Sequence, residues 1–230
     1  MKTLILMRNS LDKNLKMKYS VSAIVPVFNE EKTVGDVVKA LVNSKLISEV
    51  ICINDGSTDG SRAILKSFGK RIVFIDLKEN HGKGYAVGLG VEKAKGEIIV
   101  FFDSDLKGLN DRHINVLIKP LLSDEKVSGV IGVPRESTSV PMRELFNSVY
   151  GERAYHRKDL LPHVKKLKGT RRGVELFLNS IFIKKKVLIF HLHSLTHIDK
   201  FKKTNPFDCT KDYLLEGFEF GKVLLMTRLR

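Results

Sequence analysis

The stretch that decides the fold is Glu97–Asp105, with the sequence EIIVFFDSD. Its apolar run, Ile98 to Phe102, has the length and composition of one buried strand. Two carboxylates, those of Asp103 and Asp105, follow at once and flank a serine. Ligands of α/β domains bind at the carboxyl ends of parallel strands. The pattern therefore predicts an acidic ligand site at the end of a central strand.

Predicted strands alternate with predicted helices on either side of this stretch. The strands are expected at 21–27, 49–54, 71–76 and 127–133, and the helices at 34–42, 61–68, 111–122 and, after the segment 79–84, over Val87 to Ala94. Ser57, Thr58 and Asp59 can cap the second of these helices. The alternation predicts an α/β fold, with a Rossmann-like, mostly parallel sheet flanked by helices.

The later chain is less regular. A loop is expected at 134–141, helices at 142–149 and 173–180, and a strand at 187–192. We divide the chain into a basic N-terminal extension (1–20), a ligand-binding half (21–134) and an acceptor-binding half with its tail (135–230). All three belong to one predicted catalytic domain.

Charge and cysteine content limit the classes of partner. The 230-residue chain has a net charge of +14, and residues 151–230 carry +10 of it, with 18 Lys and Arg against 8 Asp and Glu. Such a field attracts phosphorylated ligands, anionic membrane surfaces or nucleic acid, although a basic surface without a specific partner fits as well. Cys52 and Cys209 are too few for a disulfide framework, so a cytoplasmic protein is the default expectation. No apolar run approaches the ~18 residues of a transmembrane helix.

Four motifs occur in register along the first half: VPVFNEE at 25–31, NDGSTD at 54–59, NHGKG at 80–84 and FDSDL at 102–106. Together they resemble the family-2 glycosyltransferases with the GT-A fold. The resemblance implies a hexosyltransferase that uses a UDP- or GDP-sugar donor, an acceptor hydroxyl or phosphate, and Mg²⁺ or Mn²⁺ as cofactor.

The resemblance also implies roles for particular residues. Asp105 is expected to bind the metal and to be catalytic, while Asp103 reaches the ribose or the metal. Taken alone, Asp55 also suits a turn or helix cap, and Lys83 a solvated loop. The residues expected to bind the nucleotide sugar are Pro26, Phe28, Asn29, Glu30, Asp55, Lys83, Asp103 and Ser104.

Segments of the second half resemble the soluble glucosyl-3-phosphoglycerate synthases: GERA at 151–154, RKDL at 157–160 and GVEL at 173–176. This weaker likeness implies that Glu175 is catalytic and contacts the sugar or acceptor, the alternative being a helix residue that faces water. The phosphoglycerate-binding loop of that branch is not evident at 134–140. The acceptor therefore stays open between a phosphorylated metabolite and a polyprenyl phosphate. Arginines that could bind an acceptor phosphate, or merely line a basic face, are Arg135, Arg153, Arg171 and Arg172.

A late histidine is expected to complete the metal site. His191 and His193 would share one face of a strand and could form a metal-binding pair. We favour His197 as the third protein ligand, with His193 as the alternative, because the segment LTHI at 195–198 resembles the one that supplies this histidine in GT-A enzymes. An imidazole beside carboxylates suits Mn²⁺ slightly better than Mg²⁺.

Two other functions compete with this interpretation. A sugar nucleotidyltransferase usually has a glycine- and arginine-rich loop where this chain has Val27–Glu30. A basic, non-catalytic nucleic-acid-binding protein would fit the charge, but aromatic residues make up only 8% and no such motif is present, so no specific nucleic acid is expected. Peripheral contact with the inner face of a membrane, the stereochemistry and the oligomeric state remain open.

Overall fold

The computed structural model describes residues 19–134, 150–171 and 173–197. Its strands are β1 (Val21–Val27), β2 (Glu49–Asp55), β3 (Val73–Leu77), β4 (Ile98–Phe101), β5 (Leu106–Lys107), β6 (Gly129–Pro134), β7 (Arg153–His156), β8 (Val187–Leu192) and β9 (Thr196–His197). Its helices are α1 (Val34–Asn43), α2 (Ser61–Ser67), α3 (Lys83–Lys93), α4 (Asp111–Ser123), α5 (Arg157–Leu160), α6 (Val164–Gly169) and α7 (Val174–Phe182). Two short 3-10 turns lie at Gly69–Arg71 and Leu161–His163.

Seven strands form one sheet in the order β3-β2-β1-β4-β7-β6-β8. Strands β3, β2, β1 and β4 are parallel, and β6 is parallel to β8. β7 is antiparallel to both of its neighbours, β4 and β6. The sheet therefore includes strands from both halves of the chain.

Both faces of this sheet are covered, as a buried parallel sheet requires. The alternating residues of β4 show this, since Ile98 and Val100 belong to one core cluster while Ile99 and Phe101 belong to the other. The first cluster contains the buried residues of α1 and α4, and the second contains those of α3 and α7. With β4 buried on both sides, its carboxyl end is held rigidly where the acidic motif begins.

The first half largely confirms the predicted elements, with local differences. β3 begins at Val73 rather than Arg71, because a 3-10 turn occupies Gly69–Arg71. α2 has Gly60 as its N-cap residue without a side-chain cap; instead, the Asp59 carboxylate accepts a hydrogen bond from the Ser61 amide at 3.0 Å. α4 matches its prediction and starts with a capping box formed by Asn110 and His113.

The second half differs more from expectation. The antiparallel β7 and the helices α5 and α6 were not predicted, whereas α7 and β8 lie close to their predicted positions. The loop predicted at 134–141 and the helix predicted at 142–149 fall almost wholly outside the described residues.

Cys52 is a free, buried thiol, and its burial raises its pKa to about 12. Cys209 lies outside the described residues. Within the described part of the chain, no helix is both long and apolar enough to cross a membrane.

Candidate active site

The acidic motif leads out of β4 into a second, two-stranded sheet. Leu106 in β5 pairs with His197 in β9, so the pairing brings a histidine from late in the chain beside Asp105. The Nδ1 atom of His197 lies 3.0 Å from Oδ1 of Asp105. The structure thus brings together the two residues that the sequence analysis assigned to the metal.

Glu152 is a further member of this cluster that the sequence analysis did not assign. It is fully buried just before β7, with Oε1 3.6 Å from Nε2 of His197. Ligand atoms of Asp103, Glu152 and His197 all lie within 4.8 Å of one another. Three carboxylates and one imidazole therefore converge at the end of β4, a donor set that suits a hard divalent cation.

The cluster has an excess of negative charge that shifts the pKa values of its members. Burial lowers the pKa of His197, but the hydrogen bond with Asp105 and the negative charges of Asp105 and Glu152 outweigh it and raise that pKa to about 11. Burial raises the pKa of Glu152, although the neighbouring His197 opposes the shift. Both shifts follow from the burial of these side chains and from the excess of carboxylates around the ring of His197.

Lys83 supplies a second positive charge. Its Nζ lies 2.6 Å from Oδ1 of Asp103 and 2.6 Å from Oε1 of Glu175. Burial lowers the pKa of Lys83, but these two carboxylates more than compensate and raise it above its usual value. Glu175 is buried at the start of α7, so the alternative of a helix residue facing water is wrong.

The glycines around Lys83 allow a segment of the second half to approach closely. Gly82 has φ +94, and its Cα faces the backbone of Arg171. The amide of Gly84 donates a hydrogen bond to the carbonyl of Arg171 at 2.5 Å. A Cβ on Gly84 would overlap atoms of Thr170 and Leu167, and one on Gly82 would lie unusually close to Arg171, at 3.0 Å. The glycines thus let the second half pack against the start of α3.

Asp55 organises the same loop. Its carboxylate accepts hydrogen bonds from the amides of His81 and Gly82, both at 2.8 Å. The side chain is therefore a structural acceptor for the loop before Lys83. Its expected contact with the nucleotide sugar stays a prediction.

The first two loops at this edge of the sheet are tied together by side-chain hydrogen bonds. Asn29 takes a left-handed conformation with φ +55, and its Oδ1 accepts a hydrogen bond from the Thr58 amide at 2.8 Å. The hydroxyl of Ser57 accepts one from the Asn29 amide at 3.0 Å, and that of Ser61 accepts one from the Glu30 amide at 2.8 Å. These bonds fix the loop in which nucleotide-binding residues were expected.

The remaining predicted residues have mixed surroundings. Phe28 is 46% exposed beside this loop, whereas Pro26 and Asp103 line one small cavity next to Lys83. Ser104 is buried. The side chain of His193 is exposed, and its carbonyl oxygen lies 2.7 Å from Nε2 of His113, whereas the ring of His197 reaches the acidic cluster.

Arg153 does not have the exposure that an acceptor-binding residue needs. It is fully buried, and its guanidinium donates hydrogen bonds to the carbonyl of Tyr150 and to Oδ1 of Asn179, both at 2.6 Å. It therefore ties β7 to α7, the helix that carries Glu175. Arg171 is exposed, whereas Arg135 and the side chain of Arg172 lie outside the described residues.

Gly151 provides a first test of the geometry, because a Cβ at this position would overlap the carboxylate of Asp103. We expect Gly151→Ala to displace Asp103, to cost about 1–3 kcal/mol of stability as overpacking does, and to weaken at least tenfold the metal-dependent nucleotide binding that the sequence analysis predicts, measured with UDP and Mn²⁺. Isothermal titration calorimetry measures the second effect. Gly169→Ala is the control, since nothing lies within 4 Å of its Cβ position. Equal UDP affinity of both variants would contradict the assignment of Asp103.

The sheet is mostly parallel, an acidic motif follows β4, and His197 lies beside that motif. These features together are those of the GT-A class of fold. The sequence model of the family described as "Glycosyl transferase family 2" matches residues 22–180. The chain belongs to this family.

Proteins similar to this chain include a probable glycosyltransferase of Bacillus subtilis, YdaM, which is 30% identical over 52% of the chain and 30% of its own length. A glucosyl-3-phosphoglycerate synthase of Mycolicibacterium smegmatis is 31% identical over 53% of the chain and 42% of its own length. The chain thus spans less than half the length of these curated relatives.

A solved structure supports the fold. Glucosyl-3-phosphoglycerate synthase of Mycobacterium tuberculosis, in complex with Mn²⁺, UDP and phosphoglyceric acid, superposes with a TM-score of 0.74. It is 22% identical, and the match covers 93% of this chain and 80% of that one. At this identity the match establishes the GT-A fold and leaves the ligands of this chain to be inferred from its own residues.

Proposed function

We propose that this chain is a metal-dependent glycosyltransferase that moves a hexose from a UDP- or GDP-sugar to an acceptor hydroxyl or phosphate. The observation that carries the proposal is the convergence of Asp103, Asp105, Glu152 and His197 at the carboxyl end of β4. Membership of the family and the fold of a relative that binds Mn²⁺ and UDP support it.

Asp105 and His197 are the proposed metal ligands. Their facing atoms are 3.0 Å apart, the separation of neighbouring ligands around an ion with bonds of about 2.1 Å. A bound Mg²⁺ or Mn²⁺ neutralises the charge that develops on the diphosphate leaving group. Carboxylates with one imidazole fit either ion, with a slight preference for Mn²⁺.

Lys83 and Glu175 are proposed to act on opposite ends of the bond that breaks. Lys83 binds the diphosphate as a point charge once the donor draws it away from the carboxylates. Glu175 then faces the transferred sugar or the acceptor. As a buried carboxylate it could serve as a base for an inverting reaction, while the resemblance to the synthases favours retention, so both outcomes stay open.

The nucleoside is proposed to lie across the loops that end β1 and β2. Pro26, Phe28, Asn29 and Glu30 form one side, with Asp55 at the end of β2. The exposed ring of Phe28 offers a surface for a base, and the hydrogen bonds between these loops hold them in place before a ligand arrives. Ser104, between the two aspartates, belongs to the same proposed site.

The acceptor is proposed to be anionic. Arg171 is exposed beside the loop that carries Lys83, and within the described part of the chain its guanidinium has no ion pair. The similar M. tuberculosis structure contains phosphoglyceric acid as well as UDP. A phosphorylated metabolite and a polyprenyl phosphate remain the two proposed acceptors. A cytoplasmic location, with contact to the inner face of a membrane, stays a prediction.

A thermal-shift panel of nucleotide sugars with and without Mn²⁺ tests the donor. A ligand at 100 times its dissociation constant stabilises the folded state by about 2.7 kcal/mol, which corresponds to roughly 5–10 °C for a domain of this size. We expect such a shift with one UDP- or GDP-sugar only when Mn²⁺ or Mg²⁺ is present. Uridine, which lacks the diphosphate, is the matched control and should give a much smaller shift. Equal shifts with and without metal would contradict the proposal.

A further inference from the structure

Glu152 is a buried, charged member of the acidic cluster to which the proposed function assigns no role. It has no exposed surface, and in the described part of the chain neither carboxylate oxygen has a hydrogen-bond partner. A buried carboxylate is normally paired or hydrogen-bonded, because taking an unpartnered charge out of water is unfavourable. When the site holds its metal, a neighbouring group should therefore donate a hydrogen bond to the carboxylate of Glu152.

The nearest donor is the ring of His197, which lies between two carboxylates. Nδ1 faces Asp105 at 3.0 Å, and Nε2 faces Glu152 at 3.6 Å. An imidazole that binds a metal through one nitrogen usually donates the proton of the other to a carboxylate or carbonyl. Such a partner fixes the tautomer and the orientation of the ring.

We propose that Glu152 is the positioning residue of His197: it accepts the Nε2 proton and so presents Nδ1, beside Asp105, to the divalent cation. This inference rests on the metal-dependent function proposed above. The distances from His197 to Asp105 and to Glu152 indicate different roles for these two carboxylates. The 3.0 Å between Nδ1 and Asp105 already suits two neighbouring ligands, whereas 3.6 Å to Glu152 needs only a small closure to become a hydrogen bond. Glu152 thus acts on the metal through His197.

The fold explains why this carboxylate can be placed there. Glu152 precedes the buried β7, whose Arg153 is anchored to α7 through Asn179, and Gly151 lets the backbone lie directly against Asp103. His197 comes from β9, which is fixed by its pairing with β5. Two rigid strands from distant parts of the sequence therefore bring acceptor and imidazole together.

The experiment compares Glu152→Ala and Glu152→Gln with the wild-type chain and with Asp105→Asn. Mn²⁺ affinity is measured in the presence of UDP by the electron paramagnetic resonance signal of free Mn²⁺. We expect Glu152→Ala to bind Mn²⁺ about 10–100-fold more weakly, the usual effect of removing a group that orients a metal ligand. Glu152→Gln should stay within a few-fold of wild type, because its amide oxygen still accepts the Nε2 proton.

A second readout follows the histidine itself. Electron spin echo detects the coupling of bound Mn²⁺ to ring nitrogen, which should persist in Glu152→Gln and weaken in Glu152→Ala at saturating Mn²⁺. A loss of packing alone would not produce that difference between the two variants. Thermal unfolding without metal checks that each variant is folded.

Two results would overturn the role of Glu152 and leave the proposed function intact. Unchanged Mn²⁺ affinity and nitrogen coupling in Glu152→Ala would show that His197 needs no such partner. A Glu152→Gln variant as weak as Asp105→Asn would make Glu152 a direct ligand instead. Absence of Mn²⁺ binding by the wild-type chain with UDP would overturn the proposed function together with this inference.

Discussion

Asp105→Asn should lower metal-dependent turnover of the nucleotide-sugar donor by about a thousandfold or more, an increase of about 4 kcal/mol in the activation barrier. Asp105 is 8% exposed, and its carboxylate faces Nδ1 of His197. An amide of the same shape can still accept a hydrogen bond from the ring, but it is a far weaker ligand for a hard cation. The measurement is release of nucleotide diphosphate at saturating Mn²⁺, with and without acceptor.

The same variant should keep its fold. Removing one negative charge from a cluster of carboxylates relieves repulsion, so we expect the melting temperature without metal to change by only a few degrees. The increase in melting temperature on adding Mn²⁺ and UDP should disappear. Asp36→Asn, the same change at an exposed residue in the first turn of α1, should leave both turnover and the metal response unaltered. Wild-type turnover in Asp105→Asn would refute the metal role of this residue.

The elements that sequence alone located are those whose signal is local. β1, β2 and β4 are apolar runs buried on both faces, so their composition identifies them wherever they lie in the sheet. α4 begins with an asparagine cap and carries its buried residues at helical spacing. The positions of Asp105 and Lys83 at this edge of the sheet were predictable for the same reason, because each lies in a short motif beside such an element; their roles stay predictions.

β7 could not be found in this way. Its sequence, RAYH, has a charged residue and a histidine in four positions, and the buried Arg153 is stabilised there by hydrogen bonds to Tyr150 and Asn179. Asn179 lies 26 residues further along the chain, so the sequence around β7 does not reveal this partner. The antiparallel insertion between β4 and β6 is therefore a product of tertiary packing.

Glu152 escaped assignment for a related reason. The glutamate stands in a segment whose resemblance was identified, but its role depends on burial and on the approach of His197 through the two-residue strands β5 and β9. A glycine followed by a glutamate ahead of a strand was the available signal, and it does not specify a partner. His197, by contrast, was predicted because its segment resembled a known one.

The link between Lys83, Asp103 and Glu175 joins the two halves of the chain through a single ammonium group. Asp103 follows β4, Glu175 begins α7, and Lys83 begins α3. Without the lysine, two carboxylates with little exposure would face each other with no cation between them. Lys83 therefore offsets the negative charge of Asp103 and Glu175, which the proposed metal and donor would meet on binding.

Lys83→Met should accordingly lower the stability of the metal-free chain by about 1–3 kcal/mol, the cost of leaving a largely buried polar group without its partner. For a domain of this size the melting temperature would fall by roughly 2–12 °C. Mn²⁺ should restore more of that stability in Lys83→Met than it adds to wild type, because the ion replaces the missing positive charge. UDP affinity should nevertheless stay at least tenfold weaker than in wild type, since methionine cannot bind the diphosphate.

Differential scanning calorimetry with and without Mn²⁺, together with UDP titration, measures both effects. Lys186→Met, which removes an exposed lysine paired with Asp124, should leave UDP affinity and the response to Mn²⁺ as in wild type. If Lys83→Met instead bound UDP as tightly as Lys186→Met, Lys83 would be a structural bridge alone.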